Sequence, residues 1–154
     1  MRISITLILF LATLTGWSQS SQIQLKDLTI NDLALLREDK TTLLDRLGSP
    51  SSIKDFHDEM NDENGKIYTY EGAKFFVQND LIDSFEVTDQ KFELTNHKIR
   101  IGDHISTLAD PFPDSYLNRK NSGVQLEITQ ADLYVVISYE STDGKITKFA
   151  IYNY

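Results

Sequence analysis

The feature that most constrains this chain is a pattern that occurs twice. A short amphipathic helix signal, carried by Leu44, Leu47 and Pro50 and again by Ile105, Leu108 and Pro111, is each time followed by three strand-like runs. Apolar residues at helical spacing before a proline argue for a helix that stops, and alternation of period two argues for half-buried strands. The expectation is an α+β domain of two repeats, about residues 28–94 and 97–154. Each repeat is a helix or helix pair plus a three-stranded antiparallel meander. The two meanders form one sheet of about six strands with the helices on one face.

The details follow the punctuation of the chain. Leu28, Ile30, Leu33, Leu35 and Leu36 suggest a helix capped by Asn31 or Thr29. A second helix runs to Leu47, with Thr42 and Asp45 as a capping pair, Gly48 at a left-handed C-terminal position and Pro50 preventing continuation. The polar, acidic stretch from Ser51 reads as a loop ending in the turn dipeptide Asn64-Gly65. Strands are expected over 66–71, 74–78 and 81–87, joined by the short connections Gly72-Ala73 and Asn79-Asp80. Residues 88–96, with Phe92 and Leu94, cross to the second unit. There Asp103 caps a helix that Pro111 and Pro113 end, and strands follow over 124–128, 133–140 and 145–152 with an Asp143-Gly144 turn.

Composition limits the partners. The first residues, MRISITLILFLATLTGWSQS, read as an export leader: Arg2, an apolar run too short for a stable anchor, then small residues that favour cleavage after Ser18, with Ser20 as the alternative. Residues 1–18 are thus expected to be a signal peptide and 19–154 a single domain, periplasmic or secreted. The formal charge is -8, and removal of Arg2 with the leader takes one positive charge from it. Nucleic acid and anionic lipid are repelled by such a chain. It has no cysteine, which excludes disulfides, thiolate metal sites and a lipid-bearing cysteine. No second long apolar run follows the leader, so no other membrane span is expected.

Alternation also sorts the strands into faces. Phe75, Val77, Phe85, Val87, Val124, Leu126, Ile128, Leu133, Val135, Ile137, Phe149 and Ile151 form the expected core side. The opposite side then carries Phe76, Ile82, Tyr134, Val136, Ile146 and Tyr152, ringed by Lys74, Glu86, Glu127, Glu140 and Lys148. An aromatic-centred patch with a charged rim is what an interface looks like. The residues expected to bind are Phe76, Glu86, Glu127, Tyr134, Val136, Lys148 and Tyr152.

The phrase LLDRLGSP resembles the helix-ending motif of the small outer-membrane assembly lipoproteins of the SmpA/OmlA type, and IRIGDHISTL resembles the opening of related units. Tandem units of helices and a short antiparallel sheet also resemble β-lactamase inhibitor proteins, whose sheet faces a protein partner. The resemblance implies an open sheet face turned to a partner. It transfers no contact residue.

Catalytic and metal constellations are not expected. Counting back from Gly65 puts Met60 at the first position of a calcium loop, which needs an oxygen donor there. His57, His97 and His104 are dispersed and show no HxH or HxxxH pair. His57 and His104 are flanked by acids, but adjacent residues do not face one another. There is no nucleophile elbow and no phosphate-cradling glycine loop. The reading is therefore a non-enzymatic protein-binding module in the envelope or outside the cell, without cofactor. The alternative is a carbohydrate or envelope-polymer binder that stacks sugars on Tyr134, Tyr152 and Phe76, with an acidic-loop hydrolase third.

Overall fold

A computed structural model describes residues 21–34, 36–59, 61–94, 97–120, 122–129 and 131–151. The leader and Tyr152 lie outside these residues.

The chain is mostly sheet, and it is not two copies of a helix and a meander. Its strands are β1 (Gln22–Gln24), β2 (Thr29–Ile30), β3 (Leu33–Ala34), β4 (Ser52–Asp58), β5 (Glu63–Tyr70), β6 (Ala73–Gln78), β7 (Leu81–Val87), β8 (Glu93–Leu94), β9 (Ile99–Arg100), β10 (Gly123–Thr129), β11 (Leu133–Tyr139) and β12 (Ile146–Ile151). The helices among the described residues are α1 (Lys40–Leu47) and α2 (Pro113–Leu117), with short 3-10 turns besides. One eight-stranded sheet runs β1-β10-β11-β12-β7-β6-β5-β4, and a four-stranded sheet runs β3-β2-β8-β9. All pairs are antiparallel except β1 with β10. The two-repeat expectation fails because three segments take other structures.

The first is the helix expected over residues 28–36. Asn31 and Asp32 both adopt positive φ, 51° and 63°, and close a tight β2-β3 hairpin instead. Asn and Asp tolerate that conformation better than most residues, and hairpins favour it. Ile30 then pairs with Leu33 on one side and Leu94 on the other, so the crossing segment becomes the strand β8 of the small sheet. The second is the acidic loop, which is β4: seven residues in unbroken register with β5, from Ser52↔Thr69 to Asp58↔Glu63. Asn64 and Gly65 lie inside β5 rather than at a turn. The ring of Phe56 packs over Gly65, where any side chain would collide with it and with the Val77 carbonyl.

The third is the second helix signal. Residues Ile105–Leu108 make only a 3-10 turn, capped by His104 rather than Asp103. The Asp103 carboxylate accepts from the Arg100 amide at 2.8 Å and closes the turn before it. Pro113 does not end a helix; it occupies the first turn of α2, where its missing N–H costs nothing. By contrast α1 forms as expected near Leu44 and Leu47, capped by Asp39 accepting from the Thr41 amide, with Gly48 at φ 74° past its end.

The small sheet, α1 and the 3-10 turn at Ile105–Leu108 cover one face of the large sheet. Leu28, Ile30, Leu43, Leu94, Ile99 and Leu108 join Phe75, Phe85, Val124, Val135, Ile137 and Phe149 in one buried cluster. Two β-bulges modify the alternation. Phe76 faces Ser84 while Val77 faces Ile82, so Asp83 is an extra residue on β7. Likewise Ser138 faces Lys148 while Tyr139 faces Ile146, leaving Thr147 extra on β12. A bulge puts two residues opposite one and shifts everything beyond it to the other face. Ile82 and Ile146, expected on the open face, are therefore core residues at 0% and 1% exposure.

Candidate functional site

No layer covers the other face of the large sheet among the described residues. One row of side chains crosses it through seven strands: Gln125, Val136, Ala150, Glu86, Lys74, Thr69 and Ser52, each opposite the next. Glu86 and Lys74 are thus a cross-strand pair of opposite charge, a favourable arrangement in a sheet. Ala150, the smallest member, is fully buried between Val136 and Glu86. Lys148 stands opposite Ser138 on the next row.

The main concavity lies at one side of this face, between α2 and strands β10 and β11. It has a volume of about 640 Å³. Gly123, Gln125, Glu127, Tyr134 and Val136 form its floor; Asp114 and Ser115 of α2 and Asn118 just past its end, with Ser21 and Lys120, form its walls. Tyr134 is 51% exposed and lies opposite Glu127, whose carboxylate accepts from the Gln22 side-chain amide at 2.9 Å. Helix α2 is held at this edge in part by the half-buried hydrogen bond from the Ser115 hydroxyl to the Ser21 carbonyl, 3.5 Å. Leu117, on the same helix, is 72% exposed.

Glu127, Tyr134 and Val136 are therefore brought together; Lys148 lies on the neighbouring strand β12 and Glu86 on β7, two strands from Val136, and neither lines the groove. Phe76 is not among them either: it sits on β6, three strands from Tyr134, or about 14 Å at the usual strand spacing. It packs edge-to-face on Phe56 at 5.7 Å, beside a smaller hollow of about 250 Å³ lined by Gln78 and Ser84. The single aromatic patch expected from alternation is thus divided in two. The α2 residues were missed because Ser115–Asn121 reads as a loop or one further turn; the Pro113-Asp114 helix start was the available signal, but nothing local says which strand the helix meets.

The three histidines have separate settings. His57 Nδ1 lies 3.1 Å from Asn64 Oδ1 at the β4-β5 hairpin. His97 packs its ring against Phe112 at 4.7 Å. His104 Nδ1 lies 2.7 Å from the Ser106 hydroxyl and accepts from the Ser106 amide, a cap rather than an activated serine. Among the described residues no three His, Asp or Glu side chains gather as metal ligands, and no helix is long and apolar enough to cross a membrane.

No family model matches the chain, and no curated protein matches it significantly. Solved structures similar to the chain include two of extracellular or secretory proteins. One is an extracellular protein containing a SCP domain from Bacillus anthracis str. Ames, with a TM-score of 0.55, 11% identity, and coverage of 77% of this chain and 44% of that one. The other is a cysteine-rich secretory protein from Staphylococcus aureus subsp. aureus Mu50, with a TM-score of 0.55, 13% identity, and coverage of 75% and 44%. The chain spans less than half the length of either, and at this identity the likeness is one of fold. It replaces the resemblance to SmpA/OmlA-type lipoproteins and β-lactamase inhibitor proteins. The motifs behind that resemblance are local: LLDRLGSP ends α1, and IRIGDHISTL spans β9 and a 3-10 turn.

Proposed function

We propose that this domain is an exported binding module that holds a protein partner in the groove between α2 and strands β10 and β11. The observation that carries this reading is the placement of Tyr134, a large side chain left half exposed on the floor of that groove; Leu117, on the helix that walls it, is exposed but does not line it. Exposed aromatic anchors in a pocket with a polar rim are the usual centre of a protein interface. The leader-like N-terminus and the extracellular and secretory character of the two fold neighbours support export. Site-specific photo-crosslinking tests it, with the reactive side chain at Tyr134 and a control at exposed Lys26, outside the groove lining. A protein adduct formed at Tyr134 and absent at Lys26 is expected. Equal yields from both positions, or none from Tyr134, would overturn the reading.

A second reading keeps the groove and changes the ligand. Gln125, Glu127, Asp114 and Asn118 place amide and carboxylate groups around the Tyr134 ring, a set suited to the hydroxyls of a sugar. Binding on a glycan array that disappears in Tyr134→Ala would favour it over the protein partner.

A further inference from the structure

The large sheet ends in β4, and the residues of that strand match themselves. β4 is the outermost strand of the order, regular over seven residues, and mostly exposed. An edge of this kind presents a row of backbone donors and acceptors that a second strand can take up. Lys54, Phe56 and Asp58 lie on the open face with Phe76, while Ile53, Asp55 and His57 lie on the other. We propose that β4 pairs antiparallel with β4 of a second copy of this chain, about a two-fold axis through Phe56, joining two large sheets into one.

The register follows from charge. Antiparallel self-pairing that keeps the faces must centre on a residue. Centred on Lys54 it sets lysine against lysine. Centred on Asp55 it sets aspartate against aspartate. Centred on His57 it sets Asp55 against the partner's Glu59. Centred on Phe56, it sets Lys54 against the partner's Asp58 and Asp55 against the partner's His57, each pair occurring twice, with the two Phe56 rings opposed at the axis. Opposite charges directly across strands stabilise pairing and like charges oppose it, so this register is the one the sequence favours. The charges that blunt an edge against foreign strands are here complementary to a copy of themselves. Three of the four take part in local contacts already: Asp55 with Lys66 at 2.7 Å, His57 with Asp62 at 3.5 Å, and Asp58 with the Asn61 side chain at 2.8 Å.

The absence of cysteine makes the test clean. Single cysteines are placed at Lys54, Asp55, Phe56 and His57 in the purified exported protein and oxidised mildly. Residues directly opposite in an antiparallel pair lie within disulfide reach. Phe56→Cys should give about tenfold more covalent dimer than the other three. Because that substitution removes a packed ring, Lys54→Cys mixed with Asp58→Cys provides a second pair, expected to yield the heterodimer in preference to either homodimer. By sedimentation, Lys54→Asp should weaken dimerisation by about tenfold or more, and mixing it with Asp58→Lys should restore it. A monomer at every concentration would overturn the proposal, as would cross-linking that peaks at Lys54→Cys or Asp55→Cys. The Tyr134 groove lies at the far side of the sheet, so either proposal can fail without the other.

Discussion

On the covered face of the large sheet Phe75, Phe85 and Phe149 are fully buried beneath a second layer; on the open face Phe76 and Val136 are half-buried and Tyr134 stands out. Both faces come from the same strands and the same alternation. The difference teaches that burial has two sources. On the covered face it comes from the small sheet and α1 packed above. On the open face, where no described element forms a second layer, neighbours in the row flank each residue, as Val136 and Glu86 flank the buried Ala150. Residues of the first kind carry the stability of the fold, and residues of the second kind set the relief of a binding surface.

The largest expected effect tests where one face gives way to the other. Ile82→Ser and Ile146→Ser should each cost about 3 to 5 kcal/mol in denaturant unfolding, since each leaves a cavity and a hydroxyl in the core. Losses below about 1 kcal/mol would mean that the bulges at Asp83 and Thr147 do not turn these side chains inward. Next comes Gly65→Ala, expected to cost about 1 to 3 kcal/mol by overpacking against Phe56 and the Val77 carbonyl. That would mark one intolerant point on an otherwise permissive face. Tyr134→Ala should change stability by only about 0.5 kcal/mol while weakening partner capture by about 2 kcal/mol. If binding falls only as far as folding does, the two faces do not divide the work as described.

The smallest effect is a pH dependence of the covering layer. Partial desolvation of the largely exposed His97 holds its imidazole below the ordinary value of 6.5, and nearby Asp27 pulls in the opposite direction. The unfolded chain therefore takes up this proton at a higher pH than the folded one. Stability attributable to His97 is intact above pH 6.5 and declines as the pH falls through and below that value. Denaturation midpoints measured on either side of it should show the decline, and His97→Gln should flatten it.

Much of the covered face was legible in the sequence. Phe75, Val77, Phe85, Val124, Val135 and Phe149 follow period two, which any sheet of this chain must respect. The bulges were not legible, because one extra residue leaves no mark in composition, and two isoleucines were assigned to the wrong face as a result. Leu28, Ile30, Leu33 and Leu36 fit a helix and a hairpin equally, and the positive φ of Asn31 and Asp32 decides between them. β4 was hidden by its own position: an edge strand needs little apolar content, so it reads as a loop. Half of the groove was visible as Glu127, Tyr134 and Val136, while the half built by α2 depends on contacts that no local pattern encodes.

The parallel strand β1 has a kinetic meaning. Gln22 meets Glu127 across 105 residues of chain, and the strand contributes one core side chain, Ile23, in return for closing that loop. Loop closure of this length is paid before the contact rewards it, so β1 is expected to dock after the rest of the sheet has formed and to leave before it melts. The Glu127 amide, which donates to the Ser21 carbonyl, is the reporter. Its hydrogen exchange should outpace that of amides between β11 and β12, and each such opening frees the Glu127 carboxylate from Gln22, so the groove floor is remade as often as the N-terminal strand lets go.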